Sequence, residues 1–216
     1  MAKSAWLIIP QTNLHVGNES VVNFTVIDKA IQRDVTTGIP CINSSSLKGA
    51  IKEFMTHKQC NNIKEIFGST KENRNDSQKG SAVFFDATLL AIPEQITGGS
   101  RCYRLVHNKE IVDSFIAKTT ALGIENITYE NIAIGDNEGE IFNELCEDDN
   151  LPIIARNCLE NGESTNLWYE QVLPSQSVLA TIIEGPEDLE EALDGKIVQI
   201  GANATIGYGY CKFIKL

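Results

Sequence analysis

At 216 residues with a formal net charge of −11, the chain is long enough to bury a real core and is expected to form one domain with insertions. No stretch approaches the roughly 20 apolar residues of a membrane span, and Pro10 interrupts the opening "MAKSAWLIIPQT" before it could act as a secretion signal, so the expectation is a soluble, cytoplasmic protein with no membrane partner. The acidic balance argues against diffuse binding of nucleic acid over the whole surface, and six cysteines without a C-x-x-C pair or zinc-spaced histidines suggest neither a zinc ribbon nor a disulfide framework.

The cysteines are expected to be reduced and mostly buried. Charge is unevenly spread: acids gather in Gly135 to Asn150 and Glu184 to Gly195, while Lys29, Arg33, Lys48 and Lys52 surround one motif. A local basic face on an acidic body is therefore compatible with the net charge.

In chain order, Leu7 to Ile9 with its flanks reads as a strand, "NLHVGNES" as a loop, and Val21 to Ile27 as extended because it is apolar and β-branched. In "NSSSLKGAIKEFMTH", Leu47, Ile51, Phe54 and Met55 recur at helical spacing, with a serine placed to cap the start. Lys48 and Lys52 fall on another face of that helix, and Gly49 inside it suggests that something approaches the backbone closely there. The polar stretch Gly68 to Ser81 reads as a mobile loop, and "AVFFDATLLAIP" as one strand whose apolar run is broken by Asp86. A second helix is expected near Asp113 to Leu122.

Further on, "LPIIARNCLENGESTNLWYEQVLP" reads as two extended arms around the turn Glu160-Asn161-Gly162. "SVLATIIEG" is a strand, "PEDLEEALDG" a short helix with Pro186 at its first turn and acids at its positive end, and "KIVQIG" a strand. Three glycines, Gly201, Gly207 and Gly209, precede a terminal strand. The alternation β, α, β, then β, α, β predicts an α+β fold of the ferredoxin-like (RRM-like) kind with long insertions.

The serine-rich helix start offers free N–H groups and the positive end of a dipole, so Ser44, Ser45, Ser46 and Lys48 could cradle a phosphate, and an ordinary N-cap explains the same residues. The C-terminal glycines lack the order of a dinucleotide fingerprint or a Walker lysine. Asp28, at the end of an apolar strand, could ligate a divalent metal, activate a hydroxyl or pair with Arg33, the ion pair being the simplest of these. His15, His57 and His107 share no motif; His57 is placed to end a helix and His107 to end a strand.

The stretch "IDKAIQRDVTTGIPCINSSSLKGAIKEF" resembles the signature of the RAMP superfamily of CRISPR-associated proteins, and within it the repeated backbone subunit of type III-B (Cmr) effector complexes. "LHVG", "VFFDATLLAIP", "NLWYEQVLP" and "IGANATIGYGYC" follow the order of that family, so the resemblance covers most of the chain. The equivalent type III-A backbone subunit is the nearest alternative, as is a scaffold subunit that binds RNA without cutting it. The sequence departs from the family pattern at Asn43, where proline is common, at Ser44 and Ala202, where glycine is usual, and at Tyr208, often arginine.

The resemblance implies a single RAMP domain over residues 1–216, with a projecting β-hairpin thumb near 153–174. It implies partners: a guide crRNA, a target RNA, further copies of the chain in a helical filament and other effector subunits. It also implies an endoribonuclease that cuts target RNA at six-nucleotide intervals, with Asp28 as the catalytic residue holding a divalent metal, Mg2+ or Mn2+, not tightly bound. RNA contacts fall by the same resemblance on His15, Gly17, Arg33, Ser45, Ser46, Lys48, Lys52, Arg156, Trp168, Asn203 and Tyr208.

Overall fold

The computed structural model describes residues 1–17, 27–69 and 78–216. The expected strand at Val21 to Ile27 and the larger part of the expected loop at Gly68 to Ser81 lie outside them. In chain order the described elements are β1 (Ala2–Pro10), β2 (Cys41–Ile42), α1 (Ser44–His57), α2 (Ile63–Phe67), β3 (Val83–Phe84), β4 (Ala87–Gln95), β5 (Tyr103–His107), α3 (Lys109–Ala121), α4 (Tyr129–Ile132), β6 (Asp136–Asn137), α5 (Gly139–Leu145), β7 (Ile153–Glu160), β8 (Glu163–Gln171), β9 (Val178–Gly185), α6 (Glu187–Leu193), β10 (Ile197–Gln199) and β11 (Tyr210–Lys215).

Nine strands form one sheet in the order β10-β11-β1-β9-β4-β5-β6, with β2 beside β4 and β3 beside β9. Every pairing is antiparallel except β5 with β6. The alternation of side chains sorts the core. On β1, Trp6 and Ile8 point into one apolar cluster with Leu47, Ile51 and Met55 of α1, Ile66 of α2, Phe142 of α5 and Leu189 of α6. Ala5 and Leu7 point the other way, against Val112 and Phe115 of α3 and Ile132 of α4. The sheet is thus covered on both faces, and its central strands read as continuous apolar runs for that reason.

"AVFFDATLLAIP" is extended as expected, along β9, but it is broken into β3 and β4 at Phe85 and Asp86 rather than forming one strand. A second irregularity between Leu89 and Ala91 turns both Leu90 and Ala91 into the α3 side, as one extra residue in a strand must. The second helix begins at Lys109, earlier than expected, because Asn108 caps it by accepting a hydrogen bond from the Glu110 amide at 2.9 Å. His107 does end its strand, buried, with Nε2 2.5 Å from the Tyr129 hydroxyl. The acidic stretch after Gly135 holds a helix, α5, that charge alone concealed.

β7 and β8 form a separate two-stranded sheet. Asn161 and Gly162 both take positive φ, 52° and 87°, the signature of a type I′ turn that matches strand twist. The hairpin projects exposed side chains, Leu159 and Leu167 among them. No helix among the described residues is long and apolar enough to cross a membrane.

Candidate functional site

Asp28 lies exposed at the root of the hairpin. Its amide and that of Lys29 both donate to the Tyr169 carbonyl at 3.1 Å, and the Tyr169 amide donates back to Asp28 Oδ2 at 2.7 Å. The carboxylate is therefore fixed by β8, a strand from the far end of the chain. The expected ion pair with Arg33 does not form: Arg33 Nη2 meets Asp148 at 2.7 Å, and its Nη1 donates to the carbonyls of Gly38 at 2.7 Å and Cys146 at 2.6 Å. Three acceptors converging from a turn and the end of α5 outcompete an exposed carboxylate. Arg33 is a strut in this structure.

Beside Asp28, Glu170 is 1% exposed. Its Oε1 accepts from the Trp168 indole N–H at 2.7 Å and from Lys29 Nζ at 3.1 Å, and its Oε2 from Asn203 Nδ2 at 2.7 Å. Burial pushes the carboxyl pKa up, but the hydrogen bonds from Trp168, Lys29 and Asn203 together outweigh burial and hold it below its ordinary range. Lys29 Nζ also stands 5.0 Å from the centre of the Trp168 ring. One buried carboxylate thus ties the hairpin, the Asp28 segment and the C-terminal loop together.

Opposite Trp168 in register is Arg156, whose guanidinium lies 5.9 Å from the Tyr208 ring. Arg156, Trp168, Asn203 and Tyr208, scattered in sequence, share this patch. The glycines that let the C-terminal loop in are explained by the chain itself: a Cβ on Gly201 would fall 2.2 Å from the His15 carbonyl oxygen, and one on Gly209 1.9 Å from that of Ile200. Their close approach is to backbone, not to a phosphate. His15 is buried, its Nδ1–H donating to the Gln171 carbonyl at 2.7 Å, so the surface of this segment is presented by Gly17.

At the start of α1 the cap is Asn43, and its side chain makes no capping bond. The expected serine cap is replaced by a remote group: the Ser44 amide donates to Asp86 Oδ1 at 2.5 Å, which is why the strand breaks at that aspartate. Buried Gln32 knits the helix start to its surroundings, accepting from the Asn43 amide at 2.8 Å and donating to Ser46 Oγ at 3.0 Å and the Gly17 carbonyl at 3.2 Å. Ser45 is exposed, and Lys48 and Lys52 are half-buried on a face away from Leu47 and Ile51. Nothing lies within 4 Å of a Cβ built on Gly49, so no described part of the chain makes the close approach that the glycine suggested.

The implied divalent metal can be tested against these donors. Among the described residues no three His, Cys, Asp or Glu side chains converge as a metal cage would, and both Glu170 oxygens are engaged. That leaves Asp28, whose Oδ1 has no hydrogen-bond partner among the described residues. A single carboxylate fits a hard cation shared with RNA phosphates and water, not a resident ion. Glu170, Gln32, Asp86 and Gln171 were given no site role from the sequence; the signals were two charges, Asp86 breaking an apolar run and Glu170 following the apolar Leu167 to Tyr169 in β8.

The Cmr endoribonuclease Cmr4 of Pyrococcus furiosus is 27% identical across 87% of this chain and 87% of that protein, and the endoribonuclease Csm3 of Streptococcus thermophilus is 26% identical across 83% and 89%. A chain of a type III-B Cmr-beta complex, seen by cryo-electron microscopy with cognate target RNA, matches the fold with a TM-score of 0.79 at 20% identity, over 100% of this chain and 97% of that one. Oligomeric Cmr4 from Pyrococcus furiosus matches with a TM-score of 0.69 at 17% identity, over 100% and 99%. A family model described as the RAMP superfamily matches residues 8–212, from within β1 to within β11, and the chain belongs to that superfamily.

Proposed function

We propose that this chain is the repeating backbone subunit of a type III CRISPR ribonucleoprotein, which grips guide crRNA and cuts paired target RNA at six-nucleotide intervals in the cytoplasm. The observation that carries the reading is the exposed Asp28 carboxylate fixed at the root of a projecting hairpin, on a segment that Gln32 ties to the start of α1, where Lys48 and Lys52 have no ion-pair partner among the described residues. The comparable identities to Cmr4 and Csm3 support type III; the Leu167 to Glu170 block favours the III-B form. The palm is read as ferredoxin-like: β1, α1, β4, β9, α6 and β11 follow its connectivity, and the spatial order β11-β1-β9-β4 with both helices on one face supports this.

Lys48, Lys52 and Ser45 grip phosphates along α1 irrespective of base, with Gly49 giving the strand room to approach. The hairpin acts as a thumb that pries the guide:target duplex apart, with Arg156, Trp168 and Tyr208 lining its inner face. Cleavage by the RNA's own 2'-hydroxyl requires that oxygen in line with the departing 5'-oxygen, which a regular A-form helix prevents; bending the strand supplies much of the rate by orientation. Asp28 then orients the hydroxyl. A divalent cation, Mg2+ or Mn2+, held by Asp28 together with RNA phosphates, would neutralise developing charge on the phosphate.

Reconstitution with guide RNA and a matched target tests the reading. Asp28→Asn is expected to stop cleavage and leave target binding intact. That variant cutting at the wild-type rate would leave a scaffold subunit, for which the Tyr169 bond to Asp28 would be the whole role of the carboxylate.

A further inference from the structure

Among the described residues, the segment that carries Asp28 has no continuous ladder to hold it: between Asp28 and Arg33 its backbone pairs with described neighbours at isolated bridges, Lys29 with Glu170, Ile31 with Gly17 and Arg33 with Pro40. Side chains do the rest. Gln171, fully buried, donates its backbone amide to the Lys29 carbonyl at 2.9 Å and accepts from the Ile31 amide on Oε1 at 3.2 Å. Arg33 reaches the Gly38 and Cys146 carbonyls from the other end of the segment.

Both ties end on the same residue. Asp148 Oδ1 forms an ion pair with Arg33 Nη2 at 2.7 Å and accepts from Gln171 Nε2 at 3.2 Å, and the Asp148 carbonyl accepts from Gln171 Nε2 at 3.1 Å. Asp148 comes from the acidic run after α5, a stretch whose charge otherwise reads as a solvated surface. Resting on the reading of Asp28 as the cleaving group, we infer that Asp148 is a positioning residue for the reaction: its carboxylate joins the two side-chain ties of the Asp28 segment and fixes that segment against the hairpin root.

The geometry separates this role from simple stability. The Asp148 side chain is 53% exposed, so the ion pair adds little to the fold on its own. Without the carboxylate, Arg33 keeps its two carbonyls and Gln171 keeps the Asp148 carbonyl, so the core stands. What disappears is the anchor shared by Arg33 and Gln171: Asp28 keeps its bonds to Tyr169, while the stretch from Lys29 to Arg33 that follows it is held less firmly against the hairpin root, which changes the setting of the carboxylate.

The test uses the assembled ribonucleoprotein with guide RNA, matched target and magnesium. Asp148→Ala is expected to slow single-turnover cleavage about 10- to 100-fold, the scale of a misplacement near an ångström, while target affinity and thermal midpoint stay close to wild type. Asp148→Asn, which retains an acceptor for both partners, is expected to recover part of the rate. A wild-type complex that does not cut, or an Asp28→Asn complex that does, defeats the functional reading itself. With that reading intact, an Asp148→Ala complex that cuts within about twofold of wild type overturns the positioning role, and so does one that loses target binding along with cleavage.

Discussion

Glu170 holds a charge where the sequence pattern calls for an apolar residue, and it keeps that charge because three donors face it. Its folded pKa is depressed, so its contribution to stability is complete above the ordinary glutamate range and fades as pH falls through the lower folded value. Glu170→Gln is expected to flatten the acid limb of the stability-against-pH curve below about pH 4.5, since it removes a group that the unfolded chain protonates first. Thermal midpoints taken from pH 3 to 7 in both proteins check this; parallel curves would mean that Glu170 does not titrate differently in the folded state. Asp28 was legible in sequence, as a lone acid beside a basic cluster within a family-like motif. Its partner Tyr169 was not, since no local pattern reveals which strand a chain meets 141 residues later. For the same reason Arg33 read as a partner of Asp28 or of RNA: charge shows in a sequence, but competing acceptors such as Gly38 and Cys146 carbonyls show only after folding.

Among the elements, the hairpin and α1 were the most legible because each carries its own local code. Asn161-Gly162 sets the turn, and the spacing of Leu47, Ile51 and Met55 sets the buried stripe. α5 and the split of β3 from β4 were not legible, because an acidic helix anchored by Phe142 and Cys146 and a strand broken to send Asp86 to another helix depend on distant partners. The exposed face of α1 is where an element-level test belongs. Replacing Lys48 and Lys52 together by glutamate is expected to reduce co-purified RNA for every sequence alike. It should also lower the slope of log affinity against log salt by roughly 0.7 for each single-strand phosphate that is no longer neutralised. An unchanged slope in a salt titration of guide binding would remove α1 from the RNA path.

Over the whole molecule, the two-sided covering of the sheet sorts the cysteines. Cys41, Cys146 and Cys211 are buried, and burial pushes each thiol pKa up to about 12, which removes the reactive thiolate. Cys102 and Cys158 are exposed, and Cys60 is partly so. Brief alkylation of the folded chain is therefore expected to mark Cys102 and Cys158 first and to spare the three buried thiols until denaturant is added, as peptide mass mapping would show. Early labelling of Cys211 would mean that the β10 edge of the sheet opens. The expectation of mostly buried cysteines thus holds for half of them.

The hydrogen bond from the Ser44 amide to Asp86 bears on how an acidic protein handles a polyanion. The subunit carries its own counter-ion on the positive end of α1, so on the proposed reading loading a guide there would be substitution of one oxyanion for another. A lone phosphate offers a single point of attachment and gains little by expelling a tethered carboxylate, which returns at once. A strand that also engages Lys48, Lys52 and the hairpin root displaces it by acting at many points together. Combined with the net charge of −11, such an intramolecular competitor would make selectivity on the proposed reading a matter of valency: short or stray anions would be turned away, and a long, correctly threaded RNA retained.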